Sequence, residues 1–119
     1  MKKNEYIFIE NCHFGEITIS GISYSKDLII FPDKIYDHWW RSKGHFLSIK
    51  DLGIVIHYKP DILFIGTGMY GLMKTDKNII HQLKETGIKR INIGKTKIMC
   101  EHYNNEKSLK KVAALHLTC

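Results

Sequence analysis

The stretch "DILFIGTGMYG" places Gly66, Gly68 and Gly71 at G-x-G-x-x-G spacing directly after an apolar run, Ile62 to Ile65. That spacing marks loops that cradle a dinucleotide pyrophosphate on the N–H groups opening the next helix. The chemistry needs two further parts. The helix must open at the loop, yet the first helix cap downstream is Thr75, beyond "LMK". A carboxylate for the ribose must follow about 20 positions on, and the strand there reads "INIGKTK", which carries none. The nicotinamide-oxidoreductase reading falls, and no cofactor is expected. What survives is a strand ending in Gly66-Thr67-Gly68 at the carboxyl edge of a sheet, where α/β folds bind ligands. Glycine lets backbone N–H groups approach a small molecule, and the Thr67 hydroxyl can donate or accept. A tight turn without a ligand explains the same residues.

Seven histidines and three cysteines invite metal or nucleophile chemistry. Cys12-His13, Cys100-x-His102 and His116-x-x-Cys119 are local pairs, but none has the paired C-x-x-C spacing of a structural zinc site. No metal site is expected. A cysteine nucleophile needs a histidine base and an orienting third group. Cys100 falls on the apolar stripe of a helix, where a free thiol behaves as a small hydrophobe. Asp51 follows Ser48 by three residues, the acidic form of a capping box, and that position already accounts for it. No catalytic residue is assigned.

The elements that would carry these residues follow from periodicity. Residues 5–10 ("EYIFIE") and 15–21 ("GEITISG") alternate apolar and polar positions, as half-buried strands do. "DLIIF" (27–31) is a shorter, more buried strand stopped by Pro32, followed by an irregular aromatic connection. Ser48 opens a helix that Pro60 ends. Residues 62–65 form the central strand, buried on both faces. A second helix spans Asp76 to Thr86, capped by Thr75 and stopped by Gly87. Residues 88–94 alternate as a strand. A third helix starts at Thr96, with Thr96, Met99, Cys100 and Tyr103 on one stripe, and residues 110–117 are the last strand. A β-hairpin followed by helix–strand repeats implies a mixed sheet with helices packed on it.

The 119 residues suit one domain with one core. At 44% hydrophobic and 25% charged, the composition is that of an ordinary globular protein. Apolar runs are too short to span a bilayer, and residues 1–12 lack a secretory pattern, so a cytoplasmic protein without a membrane partner is expected. Net charge is +6, but the cations are mostly lysines spread along the chain. Nucleic-acid binders cluster their charge and interleave arginine or stacking aromatics, so nucleic acid is not the expected partner.

"YDHWWRSKGHFLSIKDL", "KPDILFIGTG", the Gly87-Ile88 turn, "KT…CEHYN" and the ending "VAALHLTC" together resemble the small Mth-type domain family. That family includes an adipogenesis-associated Mth-domain protein and, more distantly, a mitochondrial respiratory complex I assembly factor. The match runs from about Phe14 to Cys119. The resemblance implies an α/β domain with a central mixed sheet and a binding or assembly role, and it supplies no reaction. The matching positions are Trp40, Arg41, Asp51, Gly66, Thr67, Gly68, Thr96, Tyr103, Asn104, His116 and Cys119. One family member carries arginine where this chain has Thr67, so an anion site built on that side chain is not carried over.

Physical weighing of these positions gives the following expectations. Thr96 caps the third helix and lies beside the Gly66–Gly68 loop, where the two could share a donor-lined pocket. Tyr103 is a core residue before it is a ligand contact, and Asn104 ends the helix. Trp39 and Trp40 point opposite ways, so one is core. Trp40 and Arg41 are of the types that dominate partner-binding hot spots. The expected protein is a single α/β domain over 1–119, a monomer or weak homodimer. Its expected role is to bind a protein partner or small ligand without catalysis. The alternative is an enzyme acting on a small anionic or carbonyl compound beside Gly66–Gly68, Thr96, Tyr103 and Asn104.

Overall fold

The computed structural model describes residues 7–119, so Glu5 and Tyr6 of the first expected strand lie outside the described residues. The chain opens with β1 (Ile9–His13), β2 (Glu16–Ile19) and β3 (Ile22–Tyr24), an antiparallel three-stranded sheet. Then follow β4 (Leu28–Ile30), β5 (Ile35–Asp37), β6 (Phe46–Leu47) and a 3₁₀ turn (Ile49–Leu52) that runs into α1 (Gly53–Tyr58). The second half holds β7 (Ile62–Thr67), β8 (Lys74–Thr75), α2 (Ile79–Glu85), β9 (Arg90–Gly94), α3 (Thr96–Asn105) and β10 (Lys111–His116).

A mixed sheet of order β5-β4-β10-β7-β9 forms the centre. β10, β7 and β9 are parallel, and β4 returns antiparallel to β10 with Leu28 opposite Leu115. Every residue of β7 and β10 is buried: the apolar stretches Ile62–Ile65 and Val112–Leu115 because the sheet is covered on both faces, and the polar ends Thr67, Lys111 and His116 with hydrogen-bond partners. Alternation then splits the core in two. Ile62 and Phe64 face α3 and the three-stranded sheet; Leu63 and Ile65 face α1 and α2. On α3 the buried residues are Thr96, Met99, Cys100 and Tyr103, the stripe that the 3.6 period predicts. Lys111 Nζ donates to the carbonyls of Tyr103 (2.6 Å) and Glu106 (2.9 Å), closing the end of that helix. Among the described residues no helix is long and apolar enough to cross a membrane.

Three expectations need correction. The first strand begins at Ile9, late in the 5–10 alternation, and runs past it to His13, because its pairing with β2 sets the register (Cys12 opposite Ile17). The aromatic connection contains a strand, β5, held by Ile30–Ile35 pairing at the sheet's edge. The second helix starts at Ile79, because Thr75 pairs with Leu47 in β8 and cannot also cap. Asp76 instead accepts the Asn78 N–H through its side chain (2.9 Å) in a turn before the helix. The expected N-terminal hairpin beside a central mixed sheet is what the chain forms, with β3 added to the hairpin.

Candidate functional site

Charge is brought inside at the carboxyl edge of β10. The β4–β10 register sets Asp27, the residue before β4, beside His116, the last residue of β10. Asp27 Oδ2 accepts from His116 Nδ1 (2.7 Å) and from Arg41 Nη2 (2.7 Å), and its Oδ1 accepts the Leu117 N–H (2.8 Å). A carboxylate only accepts, so His116 Nδ1 carries the hydrogen and Nε2 is left facing Thr118 Oγ1 at 3.4 Å. Arg41 is 7% exposed. Its Nη2 also donates to the Gly44 carbonyl (2.9 Å), and its guanidinium carbon lies 4.7 Å from the Trp39 ring centre. Arg41 Nε and Nη1 are buried and find no acceptor among the described residues, so the face of Trp39 is their compensation.

Burial pushes the Asp27 carboxyl up, but the His116, Leu117 and Arg41 donors together outweigh it and hold it below its ordinary value. A depressed carboxyl contributes stability above its unfolded value of about 3.9 and loses it as pH falls through the folded value. Urea unfolding across acid pH checks this: stability falls below about pH 4, and more steeply in the native protein than in Asp27→Asn.

The glycine loop is occupied by the chain itself. Gly68 N–H donates to Thr96 Oγ1 (2.8 Å), and that hydroxyl donates to the His116 carbonyl (2.6 Å). Thr96 N–H returns to the Gly68 carbonyl, and Thr67 Oγ1 donates to the Gly94 carbonyl (3.0 Å). Met69 and Leu72 N–H groups donate to the carbonyls of Thr118 and Cys119. Gly66 lies against Thr96 and Leu115, and Gly68 against the Cys119 backbone. The expected meeting of Thr96 with the loop is therefore observed, but Thr96 is not the helix cap. Lys95 takes that position, and the Thr96 hydroxyl ties three elements together instead.

Tyr103 is core, edge-on to Phe64, and burial pushes its hydroxyl up. Asn104 does not end α3. Its amide clasps β1, accepting the Ile9 N–H (3.0 Å) and donating to the Ile9 carbonyl (2.8 Å). Asp51 accepts from Ser48 N–H and Oγ (both 3.1 Å), as its spacing foretells. No cluster of three or more metal-ligating side chains occurs among the described residues.

Trp39 and Trp40 separate as expected. Trp39 is 5% exposed and donates its indole N–H to the Asp51 carbonyl (2.9 Å), whereas Trp40 is 76% exposed. Arg41 does not join Trp40 on the surface, because its charge is needed by Asp27 within. Trp40 overhangs a groove of about 380 Å³ with Tyr36, Lys50 and Ile54. Through Tyr36, Gly53 and Ile54 this groove runs on into a second one of about 410 Å³, lined also by Phe31, Lys34 and Tyr58. β5 and α1 are its walls.

Asp27 is the member of the buried cluster that sequence reasoning missed. The signal was available: Asp27 immediately precedes one apolar run that must be buried, His116 lies at the end of another, and ionisable groups so placed need partners.

Several solved structures share the fold. A protein designated MT938 is 22% identical, with 95% of this chain and 99% of that one covered, at a TM-score of 0.74. The conserved hypothetical protein PH1505 of Pyrococcus horikoshii is 23% identical over 93% and 98%, at 0.76. An outer membrane protein of Bartonella henselae is 20% identical over 96% and 97%, at 0.77. No curated protein matches by sequence. A family model described as a protein of unknown function, DUF498/DUF598, matches residues 9–117. The chain belongs to that family.

Proposed function

We propose that this protein is a non-catalytic binding module, and that its ligand is an extended segment of another protein laid along the β5–α1 groove. The observation that carries this reading is Trp40, a large aromatic residue 76% exposed at the mouth of a continuous aromatic groove. Tyr36 and Ile54 are exposed in the same groove. Tryptophan and tyrosine give large contact area at low entropic cost, and anchor most interfaces in which they occur. Among the described residues β5 is the last strand of its sheet, with no strand beside one row of its backbone groups. Lys34 and Lys50 line the groove without a carboxylate partner among the described residues, which favours a segment that mixes apolar with acidic side chains. The resemblance to Mth-type domains, one distant relative of which assists assembly, supports the same class of role.

The alternative, an enzyme acting on a small anionic or carbonyl compound beside Gly66–Gly68 and Thr96, would draw its titratable group from the neighbouring Asp27–His116–Thr118 order, a carboxylate, an imidazole and a hydroxyl in line. It has less support. The hydroxyl contact is long, and the N–H groups of Gly68 and Met69 that would stabilise an oxyanion are already bonded.

Selection of displayed random peptides on the immobilised protein tests the binding reading. Enriched peptides carry aromatic or aliphatic residues with Asp or Glu, and Trp40→Ala weakens them about 30-fold, the scale of a hot-spot truncation. The same variant melts within about 2 °C of the native protein, because an exposed side chain contributes little to the fold. Peptides that bind native protein and Trp40→Ala equally overturn the reading.

A further inference from the structure

Two thiols from distant parts of the chain meet between β1 and α3. Cys12 and Cys100 are 88 positions apart, yet the Cys100 thiol donates to Cys12 Sγ across 3.5 Å. Both are free and buried. Both line a groove of about 270 Å³, together with Phe8, Lys97 and Glu101. Their approach is held by the backbone, because Asn104, one turn along α3, grips Ile9 by two hydrogen bonds and keeps β1 in place.

We propose that Cys12 and Cys100 are a peroxide-reactive dithiol, with Cys12 the attacking sulfur and Cys100 the resolving one. The environment divides the roles. The Cys100 hydrogen bond and the Lys97 ammonium lower the Cys12 thiol below its ordinary value against the opposing effect of burial. The bond that Cys100 donates, burial and nearby Glu101 push Cys100 up, so the proton stays there. A peroxide, only two heavy atoms across in its simplest form, is small enough to enter such a groove and reach nearly covered sulfurs.

The chemistry balances without a cofactor. Cys12 thiolate attacks one peroxide oxygen, the O–O bond breaks, and hydroxide leaves, giving a sulfenic acid. Cys100 then attacks Cys12 Sγ, the S–O bond breaks, and the departing hydroxide takes the Cys100 proton as water. Two thiols are oxidised to one disulfide and one peroxide is reduced to two waters, counting the proton that Cys12 first released. A disulfide needs the sulfurs about 2.05 Å apart, a closure of about 1.5 Å that side-chain rotation can supply. The product would fasten the three-stranded sheet covalently to α3, where the reduced chain, among the described residues, has packing, the Asn104 clasp and the weak thiol hydrogen bond.

Hydrogen peroxide in slight excess is added to the native protein and to Cys119→Ser, followed by denaturing alkylation and non-reducing peptide mass mapping. The expected result in both is loss of two hydrogens, a Cys12–Cys100 linked peptide, and reversal by dithiothreitol. In a Cys100→Ser variant, the Cys12 sulfenic acid persists and is trapped by dimedone. Full alkylation of Cys12 and Cys100 after peroxide, or linkage through Cys119 instead, overturns the proposal. Should Cys100→Ser fail to fold, the map of the native protein decides alone.

Discussion

Asp27→Asn lowers stability by about 3 kcal/mol, the low end for breaking a buried ion pair, and lowers the melting temperature by roughly 10 °C. The reason lies with the partner left behind. Arg41 has a side chain 4% exposed, and Asp27 is the only carboxylate that pairs with it among the described residues. Its Nε and Nη1 already lack acceptors, so Asp27→Asn leaves a buried cation without its counter-charge, facing neutral partners alone: the Gly44 carbonyl, the Trp39 ring, His116 Nδ1 at 3.2 Å and the new amide. The low end applies because the Asp27 side chain is 17% exposed, and water reaches the gap. Arg41→Met removes the cation and keeps an apolar stem on Trp39, so it costs only about 1 kcal/mol. The double variant then recovers about 2 kcal/mol relative to the sum of the single changes, because the neutral amide at position 27 no longer faces an unpaired charge. Chemical denaturation of the four proteins measures the cycle. Additivity within about 0.5 kcal/mol would show that the two side chains are not one unit.

That cluster also marks where the sequence stops being legible. Features set by local periodicity could be read along the chain: the two-sided burial of β7, and the Thr96, Met99, Cys100 and Tyr103 stripe of α3. Features set by pairing across the fold could not. β5 has no alternation of its own and exists because Ile30 and Ile35 meet. Thr75 has the chemistry of a cap, but β8 pairing takes it. Arg41 beside Trp40 reads as a surface hot spot, yet the deciding contact is with Asp27, fourteen positions away. The Trp39–Trp40 separation was visible, because adjacent residues point apart in extended chain, although which one faces outward was not. Asp27 and Cys12 acquire their partners, His116 and Cys100, at separations of 89 and 88. No local rule reaches that far.

The glycine loop is where the two views differ most, and Gly68→Ala separates them. A glycine that only lets a ligand approach can gain a methyl group at small cost to the fold, with binding alone impaired. Gly68 is not in that position. Its φ of +107° lies where side chains rarely go, and a Cβ there would stand 2.2 Å from the Cys119 carbonyl carbon. Neither constraint can relax cheaply. Rotating φ breaks the Gly68–Thr96 bonds that join β7 to α3, and moving Cys119 breaks its bond from Leu72. We expect Gly68→Ala to cost at least about 3 kcal/mol, combining backbone strain with overpacking. Gly15→Ala is the control, because it too has positive φ (+78°) but meets nothing within 4 Å, so it carries the conformational penalty alone, about 1 kcal/mol. Urea denaturation of both variants gives the difference. Equal losses would mean that the loop has room at Gly68, and the ligand-pocket reading of Gly66, Thr67, Gly68 and Thr96 would regain its place. A loss at Gly68 several-fold larger would mean that the spacing resembling a dinucleotide loop is a structural joint, with glycine required by the chain's own backbone.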